Sequence, residues 1–427
     1  MRTEAAIKST ILCAAALCLA ALPTFAQPLR VASLDNARAR TIASEKVIAT
    51  SPDPSGIYLY TPAIAEGLDG RFVVAVDYGG PGTGALDGPL SDLGDAASGN
   101  QVRVMYSDNR GRTWKESPAR LPMMHETLFR SGNSLYMIGH SGRLLITRSD
   151  DNGVTWSEPS VLCPQWRWHQ SCASVDHHDG KITLVYERWI RPDHKWPGVG
   201  PVLMQAREGD DLTRPESWKF SDFYNPDPDI IASKPSGIPA LPVEADDALN
   251  AGILETSVVR IYNPRHPFYD PTGRSVVLMM RANTGFKDIG VMMCGKENED
   301  GTLSIEKLRK NGEEIYYVHI PGAHLKFHIC YDPQTQLYWM VHSQVNGSMD
   351  ERRRLALSYS ADLLTWSFAG MVAVGPADGA SRNYATMMIS GDDIFVVSRS
   401  GDLSAKNNHD TDLVTFHRIR NFRKLVY

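Results

Sequence analysis

Thirteen histidines are spread through the 427 residues. Several stand at the edges of apolar stretches, with tyrosine, arginine or lysine close by. Five groups stand out: His125; His169 with Gln170; Tyr186-Glu187-Arg188; Arg260-Ile261-Tyr262 with Arg281; and His324, Lys326 and His328. Histidine and tyrosine can pass protons near neutral pH, while arginine and lysine can neutralise an anion. Those types together suit chemistry on an acidic substrate. Candidate catalytic residues are therefore His125, His169, Tyr186 and Arg188. Candidate binding residues are Gln170, Arg260, Tyr262, Arg281, Lys326 and His328.

Paired-carboxylate hydrolysis is the competing chemistry, and its candidates are fewer: Asp77, Glu126, Glu187 and Glu255. Tyr186 and Glu187 are neighbours, so on a strand they face opposite sides and cannot share one pocket. Bland readings stand beside each group. A histidine at a strand end can be a plain hydrogen-bond partner, and His324, Lys326 and His328 could form a solvated stripe. Glu351-Arg-Arg-Arg354 reads as a solvated turn. The run Trp166-Arg167-Trp168 could stack on a sugar or pack inside the fold. No phosphate loop, H-E-x-x-H motif or C-x-x-C spacing is present, and no metal is expected.

Side chains so far apart in sequence need a fold that gathers them. Period-2 apolar alternation runs almost from end to end, as in Arg71–Asp77, Lys181–Tyr186, Ser275–Met280 and Asp393–Ser398. Each stretch follows a turn pair: Asp69-Gly70, Asp179-Gly180, Thr272-Gly273 and Gly391-Asp392. Short strands behind such turns mean an all-β chain. The stretch 222–250, rich in proline and aspartate, reads as a long surface loop. An eight-residue element also repeats. Ser107-Asp-Asn-Arg-Gly-Arg-Thr-Trp114 recurs as Ser149-Asp-Asp-Asn-Gly-Val-Thr-Trp156. A shortened copy spans Ser360–Trp366, with fainter echoes at Asp412–Phe416 and Trp218. In each, serine and aspartate can bind their own turn, glycine takes the positive-φ position and tryptophan packs. Strand-only repeats of this length indicate propeller blades, whose inner strands converge on one channel. The boxes should be structural, with Trp114, Trp156 and Trp366 buried at blade rims.

Composition narrows the field further. A 42% hydrophobic content supports a large core, and a net charge of −5 argues against a nucleic-acid partner. Residues 1–26 read as a secretory signal: Arg2 and Lys8, the apolar run Thr10–Leu22, then Pro23-Thr-Phe-Ala26 before Gln27. Export, with no membrane anchor after cleavage, is therefore expected. In an oxidising compartment Cys163, Cys172, Cys294 and Cys330 could form one or two disulfides, Cys163–Cys172 being closest in sequence.

S-x-D-x-G-x-T-W is the Asp-box, and its copies here resemble the sialidase-like propellers along the whole mature chain. That resemblance implies residues 27–427 form one propeller of four-stranded antiparallel blades, seven or alternatively six, acting as a monomer. Leu29–Leu34 would then pair with the last blade and close the ring. Exo-sialidases carry an F/Y-R-I-P segment whose arginine opens a triad gripping the sugar carboxylate. Tyr58-Leu-Tyr-Thr-Pro62 takes its place here, with Tyr60 where that arginine would stand. His125–Phe129, Trp168–Ser171, Gly322–His328 and Thr415–Arg423 resemble another branch, the secreted rhamnose–glucuronate lyases and propeller rhamnosidases. This resemblance implies an acidic polysaccharide or oligosaccharide as substrate and elimination at a uronic acid as the reaction. Hydrolysis, or glycan binding without catalysis, is the alternative. No cofactor is implied, although the central channel leaves room for a structural cation.

Overall fold

The computed structural model describes residues 40–92, 99–191, 196–226, 252–284, 287–344 and 351–427. The expected signal segment, the strand at Leu29–Leu34 and most of the loop at 222–250 lie outside these residues.

The strands expected from turn pairs all form, and each is the second strand of a blade. They are Phe72–Gly79, Lys181–Trp189, Ser275–Asn283 and Asp393–Gly401. Each follows its hairpin at a left-handed residue, such as Gly70 (φ 74°) or Gly180 (φ 66°). Antiparallel sheets build outward from six inner strands. In order these are Tyr58–Glu66, Met124–Ser131, Trp168–His169, Gly252–Val259, His328–Asp332 and Ser381–Ser390. The architecture is thus a six-bladed β-propeller. Seven blades were expected because the first two boxes lie close together, a spacing that longer connections in later blades do not keep.

Both faces of the inner strands of each blade are largely buried, because each blade packs against two neighbours, while the outermost strands are partly exposed. Leu184 and Tyr186 face the second blade in one apolar cluster, while Val185 and Leu203 face the fourth in another. Six such clusters fill the six gaps between blades. Chain closure comes from Ala43–Thr50, which pairs with Leu413–Ile419 as the fourth strand of the last blade. Arg382 fixes that strand, donating to both oxygens of Glu45 at 2.9 Å.

The boxes turn the third strand of a blade into the fourth. Ser149 Oγ accepts from Gly153 N at 2.8 Å, and Asp151 Oδ1 accepts from Thr155 N at 2.8 Å. Ser107 and Asn109 repeat the pattern, as do Ser360 and Asp362. Leu363 takes the glycine position at φ 61°. Trp218 closes a looser turn at the same place in the third blade, its indole N–H donating to Leu212 O at 2.8 Å. Phe416 instead lies within a strand, so that echo is not a box. Trp114, Trp156 and Trp366 pack against three of the clusters but are only half-buried, not buried as expected, because the turn leaves one ring edge in solvent. All four cysteines among the described residues are free, so no Cys163–Cys172 disulfide forms.

Truncating a half-buried tryptophan costs less than the 3–5 kcal/mol typical of a fully buried one. Trp156→Ala should lower unfolding free energy by about 2 kcal/mol in urea titration. Ligand affinity should stay unchanged.

Candidate functional site

Strand geometry decides which side chains reach the channel. Residues in the body of a strand face neighbouring blades, so only strand ends and irregularities can point inward. Four inner strands carry a β-bulge near their start. Pairing slips between Leu59 and Pro62, Met124 and Thr127, Leu254 and Ser257, and Asn383 and Thr386. A bulge inserts one residue and re-aims its side chain. Tyr60, His125, Glu255 and Tyr384 are turned by these bulges into one cavity at the mouth where the inner strands begin. Three of them hold left-handed backbone: His125 at φ 54°, Glu255 at φ 57° and Tyr384 at φ 48°. Such strain in non-glycine residues concentrates at functional sites.

The cavity measures about 510 Å³. Its floor is an ion-paired triad from two blades. Arg281 Nη1 donates to Glu255 Oε2 at 3.0 Å and also to the Tyr384 hydroxyl. Tyr384 in turn hydrogen-bonds the Glu255 carboxylate. Burial would raise the Glu255 pKa, but Arg281 and Tyr384 hold it below the usual carboxylate value. Burial pushes the Tyr384 phenol up, against the pull of Arg281, so it rests protonated.

Two more arginines face Tyr384. The guanidinium of Arg399 lies 5.0 Å from its ring centroid and that of Arg352 lies 5.4 Å away. Arg399 Nε and Arg352 Nη1 are buried with no hydrogen-bond partner among the described residues. Burial, and then Arg352, hold the Arg399 pKa down to about 10. Arg399 also stacks on Tyr60, at 4.6 Å. The Tyr60 hydroxyl donates to Asp410 at 3.2 Å, and His409 contacts the same carboxylate at 2.9 Å.

Histidines line the opposite wall. His125 Nδ1 lies 3.2 Å from His140 Nε2, and its other nitrogen faces Asp77 at 3.9 Å. His169 pairs with Glu187 at 2.9 Å. Burial holds His125 and His140 well below their usual pKa, so both rings are neutral. Burial also lifts the Asp77 carboxyl to about 6. Beneath His125, Glu126 is wholly buried with both carboxyl oxygens unpartnered among the described residues. Burial and then Asp77 raise its pKa well above the usual value.

Of the ten residues singled out in the sequence, His125, His169 and Arg281 meet in this cavity. The other seven do not gather with them. Tyr186 is in the core between blades two and three, its hydroxyl donating to Ile138 O at 2.6 Å. Arg188 is sandwiched between Trp166 and Phe223, at 3.8 and 4.2 Å. Both belong to a second strand, whose side chains face other blades. Gln170 spends its amide on the carbonyl of Val185 at 3.0 Å. Arg260, Tyr262 and His328 line the opposite mouth, where inner strands end. There Arg260 pairs with Asp176 at 2.7 Å. Lys326 is buried rather than part of a solvated stripe, donating to the carbonyl of Ala385 at 2.6 Å. Sequence reading missed Tyr384, Arg352, Arg399, His140 and His409. Arg352 sits in the run read as a solvated turn, yet it lines the cavity.

No family model matches the chain, and no curated protein matches it. Solved structures do match. Trypanosoma rangeli sialidase in complex with the inhibitor DANA superposes with a TM-score of 0.54 at 12% identity, covering 89% of this chain and 60% of that one. This chain therefore spans about three-fifths of the sialidase. Penicillium chrysogenum α-L-arabinanase complexed with arabinobiose gives 0.52 at 12%, covering 90% and 99%. A Dyadobacter fermentans protein of unknown function gives 0.52 at 13%, covering 89% and 98%. The chain shares the propeller fold of these proteins.

Buried histidines make stability depend on pH. Burial holds His342 and His417 to about 4 and His328 to about 3, whereas unfolded rings protonate near 6.5. The unfolded chain then binds more protons in that window, so stability present above 6.5 is lost as pH falls towards 4. Asp77, raised to about 6, and Glu126, also raised, work the opposite way but are outnumbered by the lowered histidines. The urea midpoint should fall from about pH 7 to about pH 5, and His417→Gln should narrow that drop.

Proposed function

We propose that this protein is an exported, exo-acting glycoside hydrolase for a carboxylated sugar, with Tyr384 as nucleophile. The observation that carries the reading is the Tyr384–Glu255–Arg281 triad, built from two blades at the cavity floor. It matches the Tyr/Glu nucleophile pair, assembled from different blades, that the sialidase resemblance implies. A neutral phenol can approach an anionic sugar without the repulsion that a carboxylate nucleophile would meet. The guanidinium groups of Arg352 and Arg399, both lining the cavity, offer that sugar carboxylate charged hydrogen bonds.

The steps then balance. The Tyr384 oxygen attacks the anomeric carbon while its proton passes to Glu255, acting as general base. The departing oxygen takes a proton from the Asp77–His125 pair on the facing wall. Water then cleaves the tyrosyl–sugar bond, giving its proton back to the Asp77–His125 pair, while Glu255 returns the first proton to Tyr384. Arg281 keeps Glu255 ionised between turnovers.

Elimination at a uronic acid is the second reading. It is favoured by the same two guanidinium groups, which could neutralise a carboxylate, and by the neutral histidines, which could move the C5 proton. An ultraviolet-absorbing unsaturated uronate would mark elimination, and a plain reducing sugar hydrolysis.

Two substitutions test the roles on glycosyl fluorides and linked oligosaccharides of N-acetylneuraminic acid and glucuronic acid. Tyr384→Phe should lower turnover of both by about a thousandfold or more without changing the melting temperature. Asp77→Asn should cripple the linked sugar but spare the fluoride, whose leaving group needs no proton. Full activity of Tyr384→Phe on either substrate would overturn the assignment.

A further inference from the structure

We propose that an aromatic ridge on the third blade is the subsite for the sugar adjoining the one held in the cavity. The inference rests on the hydrolase reading only for what fills the cavity. Trp196 forms part of the cavity wall and is 42% exposed. Among the described residues it is the one exposed large apolar side chain that lines this cavity. Its ring stands edge-on to His169, with centroids 4.7 Å apart. Trp189 follows at 5.9 Å, and the Arg167 guanidinium lies 4.2 Å from the Trp189 ring. His169, Trp196, Trp189 and Arg167 thus form one continuous series from the site to the rim.

Chemistry identifies the occupant. A scattered exposed tryptophan needs no explanation, but a contiguous aromatic surface opening from a pocket marks a binding face. Indole rings offer flat apolar area with a polar edge, which suits the alternating C–H and hydroxyl faces of a pyranose. At about 510 Å³ the cavity falls low in the range for ligand pockets, roughly 300–1,000 Å³. Further units of a chain must therefore lie outside it. The Tyr60 side of the mouth is engaged already, since Tyr60 and His409 both bind Asp410. On the third blade, among the described residues, Trp196 keeps 42% of its surface exposed. Arg167 at the end of the ridge would favour an anionic unit further along.

The test compares substrates that differ only beyond the cavity. Trp189→Ala, which lies outside the cavity lining, should raise KM for sialyl or glucuronosyl oligosaccharides by about threefold, and leave hydrolysis of the matching glycosyl fluoride within about twofold. Trp196→Ala, in the cavity wall, should raise KM for the oligosaccharides by about tenfold and cost less on the fluoride. Equal losses on both substrates, or none on either, would overturn the ridge as a subsite. Should the wild type act on neither substrate, the nucleophile assignment has failed and binding alone decides. Retardation of the wild type in gels cast with sialylated mucin or gum arabic, reduced in Trp196→Ala, would then support the ridge. Equal retardation of both proteins, or none of the wild type, would sink it.

Discussion

The site depends on how buried backbone groups are satisfied where four inner strands break their pairing. A bulge frees peptide groups deep in the protein, where an unpaired N–H or C=O is costly. Side chains from other strands supply the partners. Asp77 accepts from Thr61 N at 2.8 Å and from the backbone of His125 in the next blade. Glu187 accepts from Thr256 N at 3.0 Å and holds His169 with its other oxygen. Lys326 donates to the Ala385 carbonyl, and Thr386 Oγ1 to the Pro62 carbonyl at 2.8 Å. The Asp77–His125, Glu187–Thr256, Lys326–Ala385 and Thr386–Pro62 contacts each join two blades, whereas Asp77–Thr61 and Glu187–His169 stay within one. The same contacts that lock the ring also hold Tyr60, His125, Glu255 and Tyr384 in their aimed conformations.

This arrangement separates two kinds of buried charge. Glu187 and Lys326 serve the backbone and are almost wholly out of solvent. Glu255 and Arg281 are as deeply buried but have the cavity on one side. Taking charges out of water is costly and is repaid only by good geometry and further hydrogen bonds. The Tyr384 hydroxyl completes that geometry by binding both partners. An apolar trio would fill the same volume more cheaply, so the retained charges point to chemistry rather than stability.

Much of the fold was legible in the sequence because turn chemistry is local. Asp179-Gly180 and Gly391-Asp392 mark hairpins on their own, and the boxes mark the outer turns, so strands and blades could be read directly. Blade number was less legible, since connections such as the one between Phe220 and Gly252 stretch the repeat. The site was read only in part. His125, His169 and Arg281 stand near strand boundaries and carry a type signal. Tyr384 does not: Asn383-Tyr384-Ala385 reads as ordinary strand, and only the register slip turns its phenol inward. Arg352 misled because three successive arginines look like surface. Tyr186 misled because a polar type in a strand body was credited with facing the channel, when it faces a blade.

Tyr60 shows how the cavity differs from a sialidase site. At the place where the resemblance calls for an arginine, this chain has a tyrosine whose ring supports the guanidinium of Arg399. Arg399 stands on the second strand of the last blade, where the Tyr60 ring supports it and its Nη2 donates to the carbonyl of His409. A guanidinium held over a ring face loses little freedom. Its charge lies near Arg352 and above Tyr384, so an anion would sit between two arginines rather than within a triad opened from the first blade. The proposed anion-binding point therefore lies towards the last blade. A sugar bound there would present its anomeric carbon to Tyr384 from a different angle, which is a physical route to a different sugar on a shared fold.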